Sequence, residues 1–273
     1  MDITVIFTCY NRKDISVRCI NSLISGNPNC QFKFIVVDDN SSDGTADALR
    51  ELDYNITIIQ GTGSLFWAGG MRVGIDHYLS AEQSTDYVLL VNDDVAFYEH
   101  SIEHLVEQAN ADARAVIVGA TCADNGRFTY GAMKLCNPRK SDLFYYVLPS
   151  DHMVSCDTFN CNCVLIRDDI LRAVGNLDEA YKHSLADLDY GLKLSRAGFP
   201  IYSSTEFVGV CRKNSNKGTW SDTSLPRLKR IKLKESPKGA PFKQWFYFMN
   251  KNFGFLEAYI YSVTPYIKIM LGK

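Results

Sequence analysis

Apolar and polar positions alternate in blocks along this chain. Residues 3–8, 32–37, 56–59 and 87–91 are short runs rich in Ile, Val, Leu and Phe, each closed by a polar cluster. That is the pattern of strands buried on both faces. Between the first two runs, Ile15, Cys19, Ile20, Leu23 and Ile24 fall on one face of a helix that Gly26 ends. After the second, Ser42 or Asp43 can cap another helix, and after the third a helix is expected from Met71 to about Leu79. Strands alternating with helices predict βαβ units and a mainly parallel sheet.

Further along, a helix at 99–110 turns Ile102, Leu105, Val106 and Ala109 inward, and 115–118 reads as a strand. The segment 120–165 is mixed, with strands expected at 129–135 and 157–166 and a loop between them. Helices follow at 168–174 and 185–197, the second stopped by Gly198, then a strand at 201–210. After about Leu225 the character changes. Between Pro226 and Lys251 eight basic residues face one acid, Glu235, a net +7, interleaved with Phe242, Trp245, Phe246 and Phe248. Basic residues with aromatics at helical spacing predict a helix lying on an anionic membrane surface. The other reading is a terminal helix that packs its aromatics on the core.

Composition narrows the classes. With 46% hydrophobic and 22% charged residues and a formal charge of -2, the chain is an ordinary globular protein and not a nucleic-acid binder. Its nine cysteines lack a paired zinc framework, so buried, reduced thiols are expected. His100 and His104 share the polar side of their helix with glutamates and read as a solvated face. No secretory leader is expected at the start of the chain, and no apolar run reaches the length of a membrane span.

Candidate chemistry collects at strand ends, where open α/β sheets bind ligands. The fourth run ends in Asn92-Asp93-Asp94. Adjacent carboxylates repel unless something positive joins them. One candidate is Mg²⁺ or Mn²⁺ completed by a ligand's phosphates; the other reading is two solvated acids starting a turn. The second run ends in Asp38-Asp39, carboxylates suited to a nucleoside's N–H groups or hydroxyls. The glycines between Gly61 and Gly74 let backbone approach a phosphate at a helix N-terminus, with Arg72 near enough to neutralise a diphosphate. They form neither a dinucleotide fingerprint nor a P-loop. Asp187 and Asp189, two apart on a helix, point in different directions. One of them in a partly dry cleft suits a general base; taken singly, either reads as a helix-start acid.

Thr8-Cys9-Tyr10-Asn11-Arg12, Val37 to Thr45, Asn92-Asp93-Asp94 and Ala186-Asp187-Leu188-Asp189 occur in an order and spacing that resembles family 2 glycosyltransferases. Val164 to Arg167 and Val174 to Glu179 resemble the stretch before that family's catalytic acid. More narrowly, the chain is similar to rhamnosyltransferase-like enzymes of bacterial surface-polysaccharide synthesis. The resemblance covers about residues 3–210. It implies an α/β fold of the GT-A type, with a mainly parallel, Rossmann-like central sheet flanked by helices and a smaller mixed sheet on the acceptor side. The implied division is a GT-A domain at 1–225, its nucleotide-binding half at 1–119 and acceptor-side half at 120–225, then a helical, membrane-associating segment at 226–273.

The implied reaction is metal-dependent, inverting transfer of a hexosyl or deoxyhexosyl group. The donor would be UDP- or dTDP-linked and the acceptor a lipid-linked glycan. By position, Thr8, Tyr10 and Asp39 would hold the nucleoside, with Asn11, Gly70 and Trp67 also on the nucleotide sugar. Asp93 would touch the ribose, Asp94 would bind Mn²⁺ or Mg²⁺, Arg72 would stabilise the leaving diphosphate, and Asp187 would be the catalytic base. Phe66 and Trp67 would wall a sugar pocket or belong to the core. The enzyme is expected in the cytoplasm, peripheral on the inner membrane, with homo-oligomers left open. Three positions depart from the pattern: Ala186 where an acid or His is usual, Asn92 at the head of the acidic triplet, and Cys211-Arg212 where many relatives carry a His. Ala186 and Asn92 keep open a non-catalytic nucleotide-sugar binder. A sugar nucleotidyltransferase is the remaining reading, although residues 9–14 lack its phosphate loop. Residues 159–162 and the loop 136–156 carry no legible acceptor code.

Overall fold

The computed structural model describes residues 1–82, 84–136 and 143–273. The N-terminal half contains β1 (Asp2–Cys9), α1 (Lys13–Gly26), β2 (Gln31–Asp38), α2 (Thr45–Arg50), β3 (Ile56–Gln60), α3 (Phe66–Ser80) and β4 (Tyr87–Val91). Next come β5 (Ala96–Phe97), α4 (Ser101–Asn110), β6 (Val116–Cys122), β7 (Phe128–Tyr130), β8 (Ala132–Leu135) and β9 (Phe144–Tyr146). Then follow β10 (Ser155–Cys156), β11 (Thr158–Phe159), β12 (Cys163–Arg167), α5 (Asp168–Val174), α6 (Ala186–Arg196) and β13 (Ile201–Val210). The C-terminal helices are α7 (Arg227–Lys234), α8 (Phe242–Phe253) and α9 (Phe255–Met270).

The large sheet has the order β10-β13-β6-β12-β4-β1-β2-β3. From β3 to β4 the strands are parallel; β12 runs antiparallel between β4 and β6, and β13 returns parallel to β6. A second, antiparallel sheet, β11-β8-β9, stands apart. This is the mainly parallel α/β architecture, with a smaller sheet, that the sequence predicts.

Period-two alternation explains how the sheet is sandwiched. Val88 and Leu90 of β4, with Ile6 of β1, enter one core beside α3 and α6, while Leu89 and Val91, with Val5 and Phe7, enter the other beside α1 and α4. Every residue of β4 is buried, as a continuous apolar run requires. His100 and His104 lie on the outside of α4, against Glu103 and Glu206. All nine cysteines are free, and seven are buried.

Several elements differ from the sequence pattern. The strand expected at 129–135 is two strands parted at Gly131, β7 paired with β6 in the large sheet and β8 in the small one. Of the loop expected at 136–156, residues 137–142 lie outside the described residues, and the rest includes β9 and β10. The expected strand at 157–166 is two strands in different sheets, β11 and β12, because Asn160 and Asn162 interrupt the apolar run and carry the chain from one sheet to the other. Helix α3 starts at Phe66, five residues before the expected Met71, and so includes Gly69, Gly70 and Gly74. Those glycines do not make a loose loop. A Cβ on Gly70 would stand 2.2 Å from Thr8 Oγ1, and one on Gly74 would stand 2.7 Å from Ile6 Cγ2. They let α3 press directly onto β1.

The C-terminal helices pack aromatic side chains on the core, as the second reading of the tail has it. Phe248, Met249, Ala258 and Ile269 are fully buried, and Phe248 stacks near Tyr181 and Trp245. Two of the basic residues are buried too. Arg230 donates to the carbonyls of Trp220 and Lys273 at 2.8 and 2.6 Å. Lys234 donates to Gly239 and Ala240 carbonyls within a cage of Trp220, Trp245 and Tyr266. Burial pulls its ammonium down to about 8. The remaining face is apolar and exposed: Leu228, Phe255, Leu256, Tyr259, Ile260 and Ile267 are each more than half accessible. Among the described residues no helix is long and apolar enough to cross a membrane.

The close approach of α3 to β1 gives a direct test. Thr8 Cβ, fixed in its strand, would be 2.6 Å from a new Cβ at Gly70. Gly70→Ala is therefore expected to lower stability by about 1–3 kcal/mol in urea unfolding, the usual cost of overpacking.

Candidate active site

Because β1, β2 and β4 are parallel, their C-terminal ends share one edge of the sheet, and three polar turns meet there. The left-handed turn at Asn11 (φ 51°) starts the first. Asn11 is held from both sides: its amide donates to Ser41 Oγ at 2.8 Å, and its Oδ1 accepts from the Ser42 amide at 2.7 Å. This tie aims Arg12 at the end of β4. A single nitrogen, Arg12 Nη1, donates to Asp93 Oδ1 at 2.9 Å and to Asp94 Oδ2 at 3.0 Å.

The two acids live in different surroundings. Asp93 is buried and also accepts from Ser16 Oγ at 3.1 Å. Burial pushes its carboxyl up to about 6, against the pull of Arg12, and the neighbouring Asp94 adds to the rise. The Asp94 side chain is 28% accessible and receives the Cys211 thiol at 3.4 Å. That thiol in turn accepts from Asn162 Nδ2 at 3.4 Å.

At the end of β2, Asp39 organises the loop before α3. Its Oδ1 accepts from the Gly63 amide at 2.7 Å, and its Oδ2 from Leu65 and Phe66 at 2.9 and 3.1 Å. Trp67, in the first turn of α3, donates from Nε1 to Asn92 Oδ1 at 2.8 Å.

The facing wall comes from α6 and the crossover between the sheets. Leu185 has φ 75°, a left-handed conformation costly for a branched side chain, and it turns the first residues of α6 towards the strand ends. Asp187 is half-buried there. It accepts from Asn160 Nδ2 at 3.2 Å and from the Leu188 amide at 2.9 Å. Desolvation raises its pKa above the ordinary carboxylate value, and these hydrogen bonds oppose the rise. Asp189 points elsewhere, to Lys251 Nζ at 2.7 Å and Asn252 Nδ2 at 2.9 Å, and fastens α6 to α8.

Together these elements enclose a cavity of about 720 Å³. Of the residues singled out in the sequence, Thr8, Tyr10, Asp39, Trp67, Asp93, Asp94 and Asp187 line it. Three others do not. Asn11 is engaged in the turn just described. Gly70 is the contact of α3 with Thr8. Arg72 donates to the carbonyls of Asp178 and Tyr181 at 3.3 and 2.7 Å, so it braces the loop before α6.

The cavity also holds residues that the sequence reading passed over: Arg12, Asn160, His183 and Lys238. Arg12 is the cation that the Asp93–Asp94 repulsion demands, and it lies in the first-strand motif itself. His183 is neutral, pulled down to about 4 by burial and by Lys238. The Trp67 amide donates to its Nδ1 at 3.4 Å, which leaves the proton on Nε2. Lys238 comes from the C-terminal segment, where Ser184 Oγ donates to its carbonyl at 3.1 Å.

A family model for glycosyl transferase family 2 matches residues 4–174. The chain belongs to that family. This family 2 chain is similar in fold to the mannosyltransferase PcManGT from Pyrobaculum calidifontis in complex with GDP-Man and Mn²⁺. The identity is 15% over 99% of this chain and 73% of that one, with a TM-score of 0.61. It is also similar to S. aureus TarS 1–349 in complex with UDP-GlcNAc, at 16% identity over 98% and 81%, TM-score 0.58. A third fold relative is GalNAc-T7 with UDP, GalNAc and Mn²⁺, at 10% identity over 80% of this chain and 44% of that one, TM-score 0.62. No curated protein sequence matches it. The large, mostly parallel sheet with its smaller antiparallel sheet is thus that of a GT-A glycosyltransferase fold.

Residues for a divalent cation are present in this family 2 chain. Among the described residues no three His, Cys, Asp or Glu side chains converge as a cage. The Asp93–Asp94 pair already attracts one cation, the Arg12 guanidinium, at the cavity wall. One or two carboxylates, with the rest of the shell left to phosphates and water, suit Mg²⁺ or Mn²⁺.

Asp39 yields the test of this site's architecture. In Asp39→Asn one acceptor oxygen becomes an NH₂ group facing amide donors. The variant is expected to lose about 1–3 kcal/mol of stability and to exchange the amides of 63–66 faster with deuterium. An unchanged exchange pattern there would show that Asp39 does not hold the loop.

Proposed function

We propose that this protein is an inverting glycosyltransferase. In this reading it moves a hexose or deoxyhexose from a UDP- or dTDP-linked donor to a hydroxyl of a lipid-linked glycan during surface-polysaccharide synthesis. The observation that carries the reading is the single cavity that holds the Asp93–Asp94 pair on one wall and the desolvated Asp187 on another.

The residues divide the work by chemistry. Thr8, Tyr10 and Asp39 surround the nucleoside at the ends of β1 and β2, and Asp93 lies on the ribose side. Asp94 would hold Mn²⁺ or Mg²⁺, with Asp93 beside it. When bound, that cation supplies positive charge to the diphosphate as it leaves. Asp187 removes the proton of the acceptor hydroxyl while that oxygen attacks the anomeric carbon from the face opposite the diphosphate. Desolvation suits Asp187 to this task, because a carboxylate of raised pKa is a stronger base. Asn160 fixes its orientation. Cavity cations do what Arg72 was expected to do: Arg12 and Lys238 are the positive side chains near the developing charge. Fold relatives with GDP-Man and with UDP-GlcNAc support a nucleotide-sugar donor and leave its base open.

The C-terminal segment supports docking on the cytoplasmic face of an anionic membrane. The exposed apolar residues of α7 and α9 lie beside the exposed Arg227, Lys229 and Lys232, a pairing of greasy stripe and positive charge that fits lipid headgroups.

Three sets of measurements test the proposal. Asp187→Asn is expected to lower transfer by about 10²- to 10⁴-fold, with nucleoside diphosphate affinity nearly unchanged in calorimetry. Unchanged turnover would remove the assigned base. In the wild type, kcat/KM falls as pH drops through the Asp187 pKa, so the acid limb has its midpoint above the ordinary carboxylate value. Asn160→Leu removes a bond that favours the charged form and moves that midpoint higher. For the membrane, the wild type is expected to sediment with vesicles containing anionic lipid, and Leu256→Glu/Ile260→Glu to remain in the supernatant. Equal sedimentation of both would exclude this face.

A further inference from the structure

Arg12 occupies one oxygen of each carboxylate in the pair that would hold a divalent cation. Its Nη1 alone bridges Asp93 Oδ1 and Asp94 Oδ2. Nε and Nη2 have no protein partner among the described residues, although the side chain lines the cavity. Its backbone is anchored, with the amide donating to Thr45 Oγ1 at 3.3 Å and the turn before it pinned by Ser41 and Ser42. The side chain is 40% accessible and is tied only at its tip. Such a residue can swing while its Cα stays in place.

Charge counting separates two arrangements. The acidic pair carries at most two negative charges, and Arg12 neutralises one. A divalent ion added beside Arg12 would leave a net positive cluster at about 3 Å spacing, which is unfavourable. A nucleoside diphosphate brings further negative charge, and a guanidinium with free N–H groups pairs with phosphate oxygens bidentately.

We propose that Arg12 is a displaceable counter-ion. It holds the Asp93–Asp94 pair in the free enzyme, yields those oxygens to a divalent cation that arrives with a diphosphate, and then pairs with that diphosphate. This rests on the glycosyltransferase reading above and adds an order to it: metal and nucleotide enter together, and metal alone binds poorly. Arg12 would thereby link cation affinity to occupancy of the donor site, a coupling that works equally in both directions.

The experiment measures Mn²⁺ binding by the loss of the free-ion electron paramagnetic resonance signal, with and without UDP or GDP. It compares the wild type, Arg12→Gln, and Lys13→Gln, which removes a neighbouring exposed charge that does not touch the acids. Arg12→Gln is expected to bind Mn²⁺ alone at least tenfold more tightly than the wild type, and Lys13→Gln within twofold of it. Nucleoside diphosphate is expected to tighten Mn²⁺ binding strongly in the wild type and at least tenfold less in Arg12→Gln. Should Arg12→Gln fail to fold, by circular dichroism, Arg12→Lys serves instead, with the same direction and a smaller gain. Equal Mn²⁺ affinity in the wild type and the Arg12 variant overturns the proposal, as does equal tightening by nucleoside diphosphate in Arg12→Gln. If Mn²⁺ still binds with nucleotide in either case, the donor-and-metal reading survives. No Mn²⁺ binding by any protein with either nucleotide overturns both.

Discussion

Two neighbouring carboxylates at the end of a fully buried strand are the constraint around which this site is built. Asp93 cannot be drawn into the protein and Asp94 left beside it unless positive charge is supplied at once, because the interior screens their repulsion poorly. The chain supplies it from another turn, through Arg12. These two ion pairs tie the turn after β1 to the end of β4. Their geometry in turn depends on the left-handed Asn11 and on the serines that follow β2. Three strand ends are thus locked in register by polar contacts at the cavity wall, where the apolar core has ended.

The opposite wall is fixed differently. Asp187 hangs on the first turn of α6, and α6 is fastened from behind: Asp189 by Lys251 and Asn252, and Thr158 Oγ1 to the Leu188 carbonyl at 2.7 Å. Gly191 allows that contact, since a Cβ there would lie 2.4 Å from Thr158 Oγ1. The carboxylate facing the cavity is therefore positioned by its neighbour facing away. Two acids that read as equivalent in the sequence have separate tasks, one in the cavity and one in holding helices together.

Much of this was legible in the sequence, and the reasons are local. Apolar runs, helix faces and polar strand ends are short-range patterns, so the α/β order and the acids at 39, 93 and 94 could be read directly, whereas only the resemblance to family 2 glycosyltransferases set Asp187 apart from Asp189. What escaped depends on distant contacts. Gly70 and Arg72 read as phosphate-binding features because glycines and an arginine near a helix start suit that role; in the fold they are spent on packing against Thr8 and on the carbonyls of Asp178 and Tyr181. Arg12 was quoted within a motif and given no task, although the repulsion it relieves was visible. The tail's effective charge was hidden for a similar reason. Net charge counts Arg230 and Lys234 with the rest, whereas carbonyls and aromatic rings hold both inside.

Lys238 is the point where the C-terminal segment reaches the cavity, with Ser184 hydrogen-bonded to its carbonyl and Lys234 bound to the carbonyls just after it. The C-terminal segment thus contributes to the cavity lining through Lys238 and carries a greasy outer face as well. Truncation before Lys238 would therefore remove part of the cavity lining together with that apolar face.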